Sequence, residues 1–397
     1  MKDLYLRPRK LGGRIDRENR RSERPLFFYA LIAFIAIACM VIAALGVPHI
    51  LRTPVTVSLN GQAFDVPYGA TILEAASSKL EPGQLFGRLL AVDGSVLDEY
   101  GGATPDFQIR GRARLPDTLI RRPVSIAVIR GADVTEGTIT EEFEVEPELI
   151  IEGGGPFRRV AISGRVGTSE RTVGETSGIE VSVRELVEPR PVKVERSRFP
   201  RGEDAPQLIA LTFDDGPHPD YTPALLDVLR AENVRATFFL LGMQAQRYPD
   251  IVRSIVEDGH QIANHSYNHR DHRDLTYAQQ REDFLKAQDL IEEAAGLRPT
   301  WVRPPYGMAK ASTYSLFGLE NMMVAHWTID PVDWRRPGTD TIRDRVVTRA
   351  HPGAVVLLHD AGGNRNQTVN ATCEIIRELK EEGYSFLTVE ELYARTP

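Results

Sequence analysis

Two aspartates, Asp214 and Asp215, stand side by side in "LTFDDGPHPD", where an apolar run gives way to Gly-Pro. Each carboxylate opposes ionisation of the other, so the pair is either a solvated turn or a seat for positive charge. Further along, "NHSYNH" places His265 and His269 four residues apart. Two imidazoles so spaced can meet one metal ion if the stretch is a helical turn or a tight loop. A carboxylate from the aspartate pair then completes a three-ligand site with a position open for water. Alone, a His-x-x-x-His is more often a surface or core pair; the aspartates supply the missing oxygen ligand. Adjacent side chains at a strand end point in different directions, so one aspartate can hold the cation while the other stays free as a base. Downstream, "RPPYG" carries Arg303 and Tyr306, "DPVDW" carries Asp330, Asp333 and Trp334, and "LLHD" ends in His359 and Asp360. Read as chemistry, this is a metal-bound water with a free carboxylate beside it as base, and ionisable residues recur at the ends of several apolar runs. His272 reads as exposed, and Asp330 and Asp360 as structural acids.

The surrounding pattern says what must position these residues. From about residue 206, the apolar runs "QLIALTF", "ATFFLLG", "HQIAN", "TWVR", "MMVAHWT", "AVVLLH" and "SFLTV" alternate with amphipathic stretches such as "TPALLDVLRA" and "PDIVRSIVEDG". Such alternation predicts βα units, with a parallel sheet or barrel and helices outside. In barrels of this kind the reactive groups sit where strands end. Here polar, ionisable residues follow strand after strand at that end, while the strand bodies stay apolar.

With the order and spacing of "TFDDGP", "HSYNH", "RPPYG", "DPVDW" and "LLHD", residues 206–397 resemble the polysaccharide deacetylase family, also called the NodB-homology domain or carbohydrate esterase family 4. The resemblance implies an α/β fold, a distorted (β/α)7 barrel. It implies metal ligation by Asp215, His265 and His269, to a divalent ion that is usually Zn2+, other transition metals being possible. By the same carry-over, Asp214 is the base that takes a proton from the attacking water, and Arg303 holds it ionised and oriented. His359 is the acid that protonates the departing nitrogen, and Asp333 fixes its ring. The Tyr306 N–H stabilises the oxyanion, and Pro305, Trp334 and Leu357 wall a pocket for the acetyl methyl. The implied activity is N-deacetylation of a cell-wall polysaccharide, peptidoglycan amino sugars foremost, with release of acetate. Deacetylation of chitin-like or O-acetylated xylan-like polymers uses the same motifs. A non-catalytic glycan-binding wall protein is the reading from another class, and it expects loss of a ligand or of the base.

The chain has 397 residues and a formal charge of -7. The first 24 residues carry nine Lys/Arg against four Asp/Glu, so the remainder is strongly acidic. Nucleic acid is excluded as a partner, because phosphate contacts need clustered Lys/Arg. Two cysteines, Cys39 and Cys373, make no disulfide framework. Residues 25–51 contain no Asp, Glu, Lys or Arg. That length suffices to cross a bilayer, and the basic residues 1–24 set the N-terminus in the cytoplasm. The expectation is a single-pass anchor in the cell membrane with the catalytic part outside; a cleaved signal peptide is the competing reading. Residues 53–130 begin with a hairpin around Asn60-Gly61 and a capping box, Thr71 to Glu74, and resemble a β-grasp module. Residues 131–190 are β-rich and resemble G-five modules. Residues 191–205, rich in proline and charge, read as a linker. Nothing in the sequence sets an oligomeric state.

Overall fold

The computed structural model describes residues 53–396 apart from 201 and 203. The expected tail, 1–24, and anchor, 25–51, lie outside the described residues. Among those described, no helix is long and apolar enough to cross a membrane. The chain divides into two compact units, one running to Thr138 and including Gly174–Ile179, the other formed by Ile139–Val173 and everything from Glu180 onward.

In the first unit, strands β1 (Val55–Leu59) and β2 (Gln62–Val66) pair antiparallel. Asn60 and Gly61 both take positive φ, 45° and 92°, the conformation that the Asn-Gly hairpin turn requires. Helix α1 (Ile72–Ser77) starts on Thr71, whose hydroxyl accepts from Glu74 N while the Glu74 carboxylate accepts from Thr71 N. Three more strands follow: β3 (Asp106–Ile109), β4 (Arg112–Arg114) and β5 (Val124–Ile129). The sheet runs β2-β1-β5-β3-β4, with β5 parallel to β1. Val57, Ile72, Leu85, Phe107 and Ile126 fill its core.

The second unit is α/β. All seven apolar runs form strands: β9 (Leu208–Asp214), β10 (Thr237–Leu240), β11 (Gln261–Asn264), β12 (Trp301–Val302), β13 (Met323–Ala325), β14 (Ala354–His359) and β15 (Ser385–Phe386), all pairing parallel among themselves. Preceding them in the chain are β6 (Leu149–Gly153), β7 (Phe157–Ile162) and β8 (Val192–Ser197). The sheet order is β6-β8-β7-β13-β12-β11-β10-β9-β14, with β15 on β9. Between β13 and β14 the chain makes a single parallel bridge, Ile329 to Val356. Strand residues alternate between two apolar cores. Leu211, Phe213, Phe238, Leu240 and Ile262 face one, Ala210, Phe239, Ala263 and Trp301 the other, as a sheet buried on both faces demands.

Register places the chemistry. Asp214 lies opposite His359, Leu240 opposite Asn264, and Asn264 opposite Val302. The residues just beyond these strand ends, Asp215, His265 and Arg303, therefore stand at one level.

The segment expected to be a linker is largely structural. Strand β8 pairs parallel with β6 and antiparallel with β7, and β7 in turn pairs with β13. Val192, Val194 and Phe199 are buried. Proline and charge suggested exposure, but the valines alternate with polar residues in "VKVERS", a period-two pattern that packs one face inward. Strands β6 and β7, assigned to the separate module 131–190, join the same sheet. A fragment starting at residue 206 loses all three strands and uncovers Tyr314, Phe317 and Val324, which pack with Val192 and Val194. Each buried apolar side chain contributes roughly 1.5–3 kcal/mol, against a whole-domain stability of about 5–15 kcal/mol. The 206–397 fragment is therefore expected to unfold at a markedly lower urea midpoint than 139–397, or to aggregate. Equal midpoints would mean that the three strands add nothing to the unit.

Candidate active site

The site begins at the end of β9. Asp214 is buried and its Oδ1 accepts from Arg303 Nη1 at 2.7 Å. Arg303 is itself fully buried, so its remaining donors must be met by protein. Nε reaches Ala325 O (3.0 Å), Nη2 reaches His326 O (3.2 Å), and Nη1 is shared with Thr212 Oγ1 (2.9 Å). Its guanidinium lies 4.0 Å from the Phe239 ring centroid. The carboxylate is thereby held in one orientation. Burial raises the Asp214 pKa, while Arg303 and the nearby histidines pull it back down. The Arg303 charge was expected to dominate; burial outweighs it, and the outcome is a more basic carboxylate than a free one.

Asp215 takes φ 78°, and both carboxylates come up to His265 Nε2, Asp214 through Oδ2 at 3.7 Å. Asp215 Oδ1 lies 3.6 Å from His265 Nε2 and 3.4 Å from His269 Nε2. The Asn-His-Ser-Tyr-Asn-His stretch is a loop and not a helical turn, with Ser266 and His269 at positive φ, 77° and 61°. Such backbone is costly for these residues and persists where surroundings dictate it. Here Ser266 N donates to Asn264 Oδ1, and His269 N to Ser266 Oγ. His265 Nδ1 sits 2.6 Å from Arg303 O. A carbonyl only accepts, so Nδ1 carries the proton and Nε2 offers its lone pair toward Asp215. Burial pushes the His265 pKa down to about 3, which keeps the ring neutral.

These three side chains fit a metal ion. Asp215, His265 and His269 each offer a ligand atom within 4.8 Å of the others. Asp215 Oδ1 is buried with no hydrogen-bond partner, a costly state for a carboxylate oxygen unless a cation meets it. Two imidazole nitrogens and a carboxylate oxygen suit a divalent transition metal.

Across the cavity, His359 Nδ1 lies 2.7 Å from Asp333 Oδ1, and His359 N donates to Asp333 Oδ2 at 2.9 Å. Burial lowers the His359 pKa, but the hydrogen bond and charge of Asp333 outweigh it and hold the imidazole up to about 9. Thr368 Oγ1 donates to Asp333 Oδ2 at 2.9 Å. Tyr306 is at φ 58°. The hydrogen bonds of its turn run from Gly307 N to Pro304 O and from Met308 N to Pro305 O, leaving the Tyr306 N–H outside that pattern.

A cavity of about 370 Å³ joins these groups, lined by both aspartates, both histidines of the loop, Tyr306, Trp334, Leu357 and His359, and also by Gly307, Trp327 and Asp330. Arg303 and Asp333 stand behind it, each aligning a lining residue. Pro305, expected in the wall, is buried and does not line the cavity. Asp330 does line it, while its Oδ1 accepts from Val332 N. Asp360 is a buried acid that accepts from Thr222 Oγ1 at 2.6 Å, and burial raises its pKa to about 7. A Cβ on Gly216 would come within 2.1 Å of that carboxylate, so the residue after the aspartate pair must be glycine. His272, expected to be exposed, is fully buried and pairs with Asp283 at 3.0 Å. The Asp283 carboxylate also accepts from Tyr267 N, bracing the loop that carries His269.

The sequence profile of the polysaccharide deacetylases matches residues 201–321. A peptidoglycan-N-acetylglucosamine deacetylase of Bacillus cereus is 40% identical over 189 residues, 47% of this chain and 88% of that protein. The chain belongs to the polysaccharide deacetylase family. Peptidoglycan-N-acetylmuramic acid deacetylase PdaC of Bacillus subtilis is 38% identical over 186 residues, 47% of this chain and 38% of that one. The crystal structure of the Bc1960 peptidoglycan N-acetylglucosamine deacetylase is 36% identical, covers 49% of this chain and 90% of that chain, and superposes with a TM-score of 0.47. Within this deacetylase, the profile spans the aspartate pair, both loop histidines, Arg303 and Tyr306. Asp333 and His359 lie beyond it, and it is their mutual contact in the fold that ties them to the site.

Sequence reasoning had no signal for several supporting residues. Thr368 lies in helix Asn366–Glu381, with nothing local to mark it. Thr212 is a polar residue inside an apolar strand, which was a usable hint. Trp327 and Gly307 reach the cavity only through the path of the chain after β13 and β12.

Proposed function

We propose that this protein is a metal-dependent hydrolase that removes N-acetyl groups from a cell-wall polysaccharide, foremost the amino sugars of peptidoglycan. The observation that carries the reading is the orphaned, buried Asp215 Oδ1 facing two imidazole nitrogens, with an Asp214–Arg303 pair and a His359–Asp333 pair on the same cavity. Asp215, His265 and His269 hold the ion, Zn2+ by preference, since the N/O donor set matches that metal. When bound, it polarises the acetyl carbonyl and makes water acidic enough to be deprotonated near neutral pH. Asp214 takes the proton from the attacking water, its basicity raised by burial and its direction set by Arg303. The Tyr306 N–H donates to the oxyanion that forms as water adds to the carbonyl carbon. His359 then delivers a proton to the amide nitrogen as the carbon–nitrogen bond breaks, giving acetate and a free amine. Asp333 keeps the His359 ring charged and aimed, and Thr368 keeps Asp333 in place. Trp327, Trp334 and Leu357 leave a small apolar space suited to a methyl group. The strands at the centre of the unit form a distorted barrel, an assignment supported by seven parallel strands and the Ile329–Val356 bridge. Residues 25–51 anchor the chain in the cell membrane with the N-terminus in the cytoplasm, a reading supported by the uncharged run and its basic flank. Residues 53–130 are a β-grasp-like module, supported by the strand order β2-β1-β5-β3-β4.

The test is acetate release from peptidoglycan glycan strands, chitotetraose and acetylated xylan by the full chain. Release from the peptidoglycan strands is expected, with kcat constant through neutral pH and falling as pH rises through about 9. The sign follows from the role: an acid must be protonated, so rate is lost above the pKa. Asp333→Asn is expected to shift that limb to lower pH. No release from any of the three substrates would sink the proposal.

A further inference from the structure

The two imidazoles of the candidate metal centre are held in different ways. The far nitrogen of His265, Nδ1, is fixed by Arg303 O at 2.6 Å. His269 turns Nε2 toward Asp215, and its main-chain N donates to Ser266 Oγ. Among the described residues, no hydrogen bond reaches its Nδ1. A metal-bound imidazole is ordinarily steered by an acceptor on that second nitrogen. What meets the His269 ring instead is aromatic. The Tyr306 ring packs against it edge to face, centroids 4.5 Å apart at 72°, and the His265 ring lies at 5.1 Å and 60°.

Tyr306 makes this contact from a strained position. Its backbone sits at φ 58°, where a bulky side chain is an outlier and glycine is at ease. Burial recovers little, since the residue is 60% exposed. Its hydroxyl makes no hydrogen bond among the described residues. The N–H assigned to the oxyanion is a main-chain group that any residue but proline carries, so it calls for no ring. Backbone of this kind persists where function or surroundings demand it. Core packing and hydroxyl chemistry both fail to account for a tyrosine here; the contact with His269 does account for it. We propose that the Tyr306 ring is a positioning residue for the metal centre, setting the His269 imidazole so that Nε2 meets the ion, as the Arg303 carbonyl does for His265. The role rests on the deacetylase reading, in which Asp215, His265 and His269 hold the ion. One residue thereby ties the two halves together, its main chain to the oxyanion and its ring to a metal ligand.

The experiment uses the full chain as wild type, Tyr306→Phe, Tyr306→Gly, His269→Ala and the double variant His269→Ala with Tyr306→Gly. Zn2+ affinity is read by competition with a chromophoric chelator, and coordination by the visible spectrum of the Co2+-loaded protein. Glycine relieves the backbone and keeps the N–H, so metal-free Tyr306→Gly is expected to unfold at a urea midpoint close to that of wild type. Its Zn2+ affinity is expected to fall about 10-fold, the lower end of what a residue supporting a metal ligand commands, with an altered Co2+ spectrum. Phenylalanine offers the same edge-to-face geometry and should stay within about 2-fold of wild type in affinity, with the wild-type spectrum. Where His269 is already alanine, Tyr306→Gly adds nothing, because the ring acts through that imidazole. Equal affinity in wild type and Tyr306→Gly, as a mere platform for a sugar ring would give, overturns the role. So does a Phe variant as weak as the Gly variant, an undiminished loss in the His269→Ala background, or a urea midpoint that falls in step with affinity. Acetate release from peptidoglycan glycan strands keeps the two proposals apart. A wild type that binds Zn2+ but releases no acetate removes the deacetylase reading, and the Tyr306 role is then decided by the affinities; a wild type that binds no Zn2+ removes both.

Discussion

Asp214→Asn lowers the rate of acetate release by about 10²–10⁴-fold, the range that a positioned general base contributes. The substitution keeps the shape of the side chain and an oxygen for Arg303 Nη1, now 2.7 Å away, but removes the basic site. Because Asp215, His265 and His269 are untouched, bound metal should remain at one ion per chain. A second consequence follows from burial. Arg303 is fully buried, and the asparagine leaves it without a counter-charge. Breaking a buried pair in this way costs about 3–5 kcal/mol. Urea titration should therefore show a lower midpoint, while kinetics measured far below the transition report the chemistry alone. A variant that folds, keeps its metal and releases acetate at the wild-type rate would remove Asp214 from the role of base.

The loss on removing the metal should be at least as large. Dialysis against a chelator is expected to abolish acetate release, and stoichiometric Zn2+ to restore it. Altering residues that merely support a metal ligand typically costs 10–100-fold in affinity or activity, so deleting a direct ligand should exceed that. Asp215→Asn and His265→Ala are each expected to bind Zn2+ at least about 100-fold more weakly, read by competition with a chromophoric chelator. His265 should be the more severe, because its ring is buried and fixed by Arg303 O at 2.6 Å. His269 is more exposed, with 27% of its side chain accessible, and its loss should be milder. Full activity after exhaustive chelation, with no metal found by elemental analysis, would overturn the hydrolytic mechanism proposed above.

Much of the site was legible in the residues themselves. Asp214, Asp215, His265, His269, Arg303, Asp333 and His359 all belong to the constellation that the structure assembles, because ionisable residues at the ends of apolar strands have few other reasons to recur. The seven strands of the second unit were legible for the same reason: apolar runs bounded by polar turns carry a period that local physics reads directly. The supporting layer was not. Thr368, Thr212, Trp327 and the His272–Asp283 pair matter through contacts with residues distant in sequence, and no local pattern encodes such a partner.

The boundary at residue 206 shows where local reading stops. Proline and charge in residues 191–205 describe how the segment interacts with water. Whether Val192 and Val194 face water or a neighbouring sheet depends on what the rest of the chain brings alongside them. The residue types and their order thus pointed to the family, through the resemblance of five motifs, and to Asp215, His265 and His269 as candidate metal ligands. Which way each imidazole nitrogen points, how burial and Arg303 divide the setting of Asp214, and where the catalytic unit truly begins were decided only by tertiary structure. Those outcomes depend on desolvation and on distances between strands, and both come into existence only when the chain has folded.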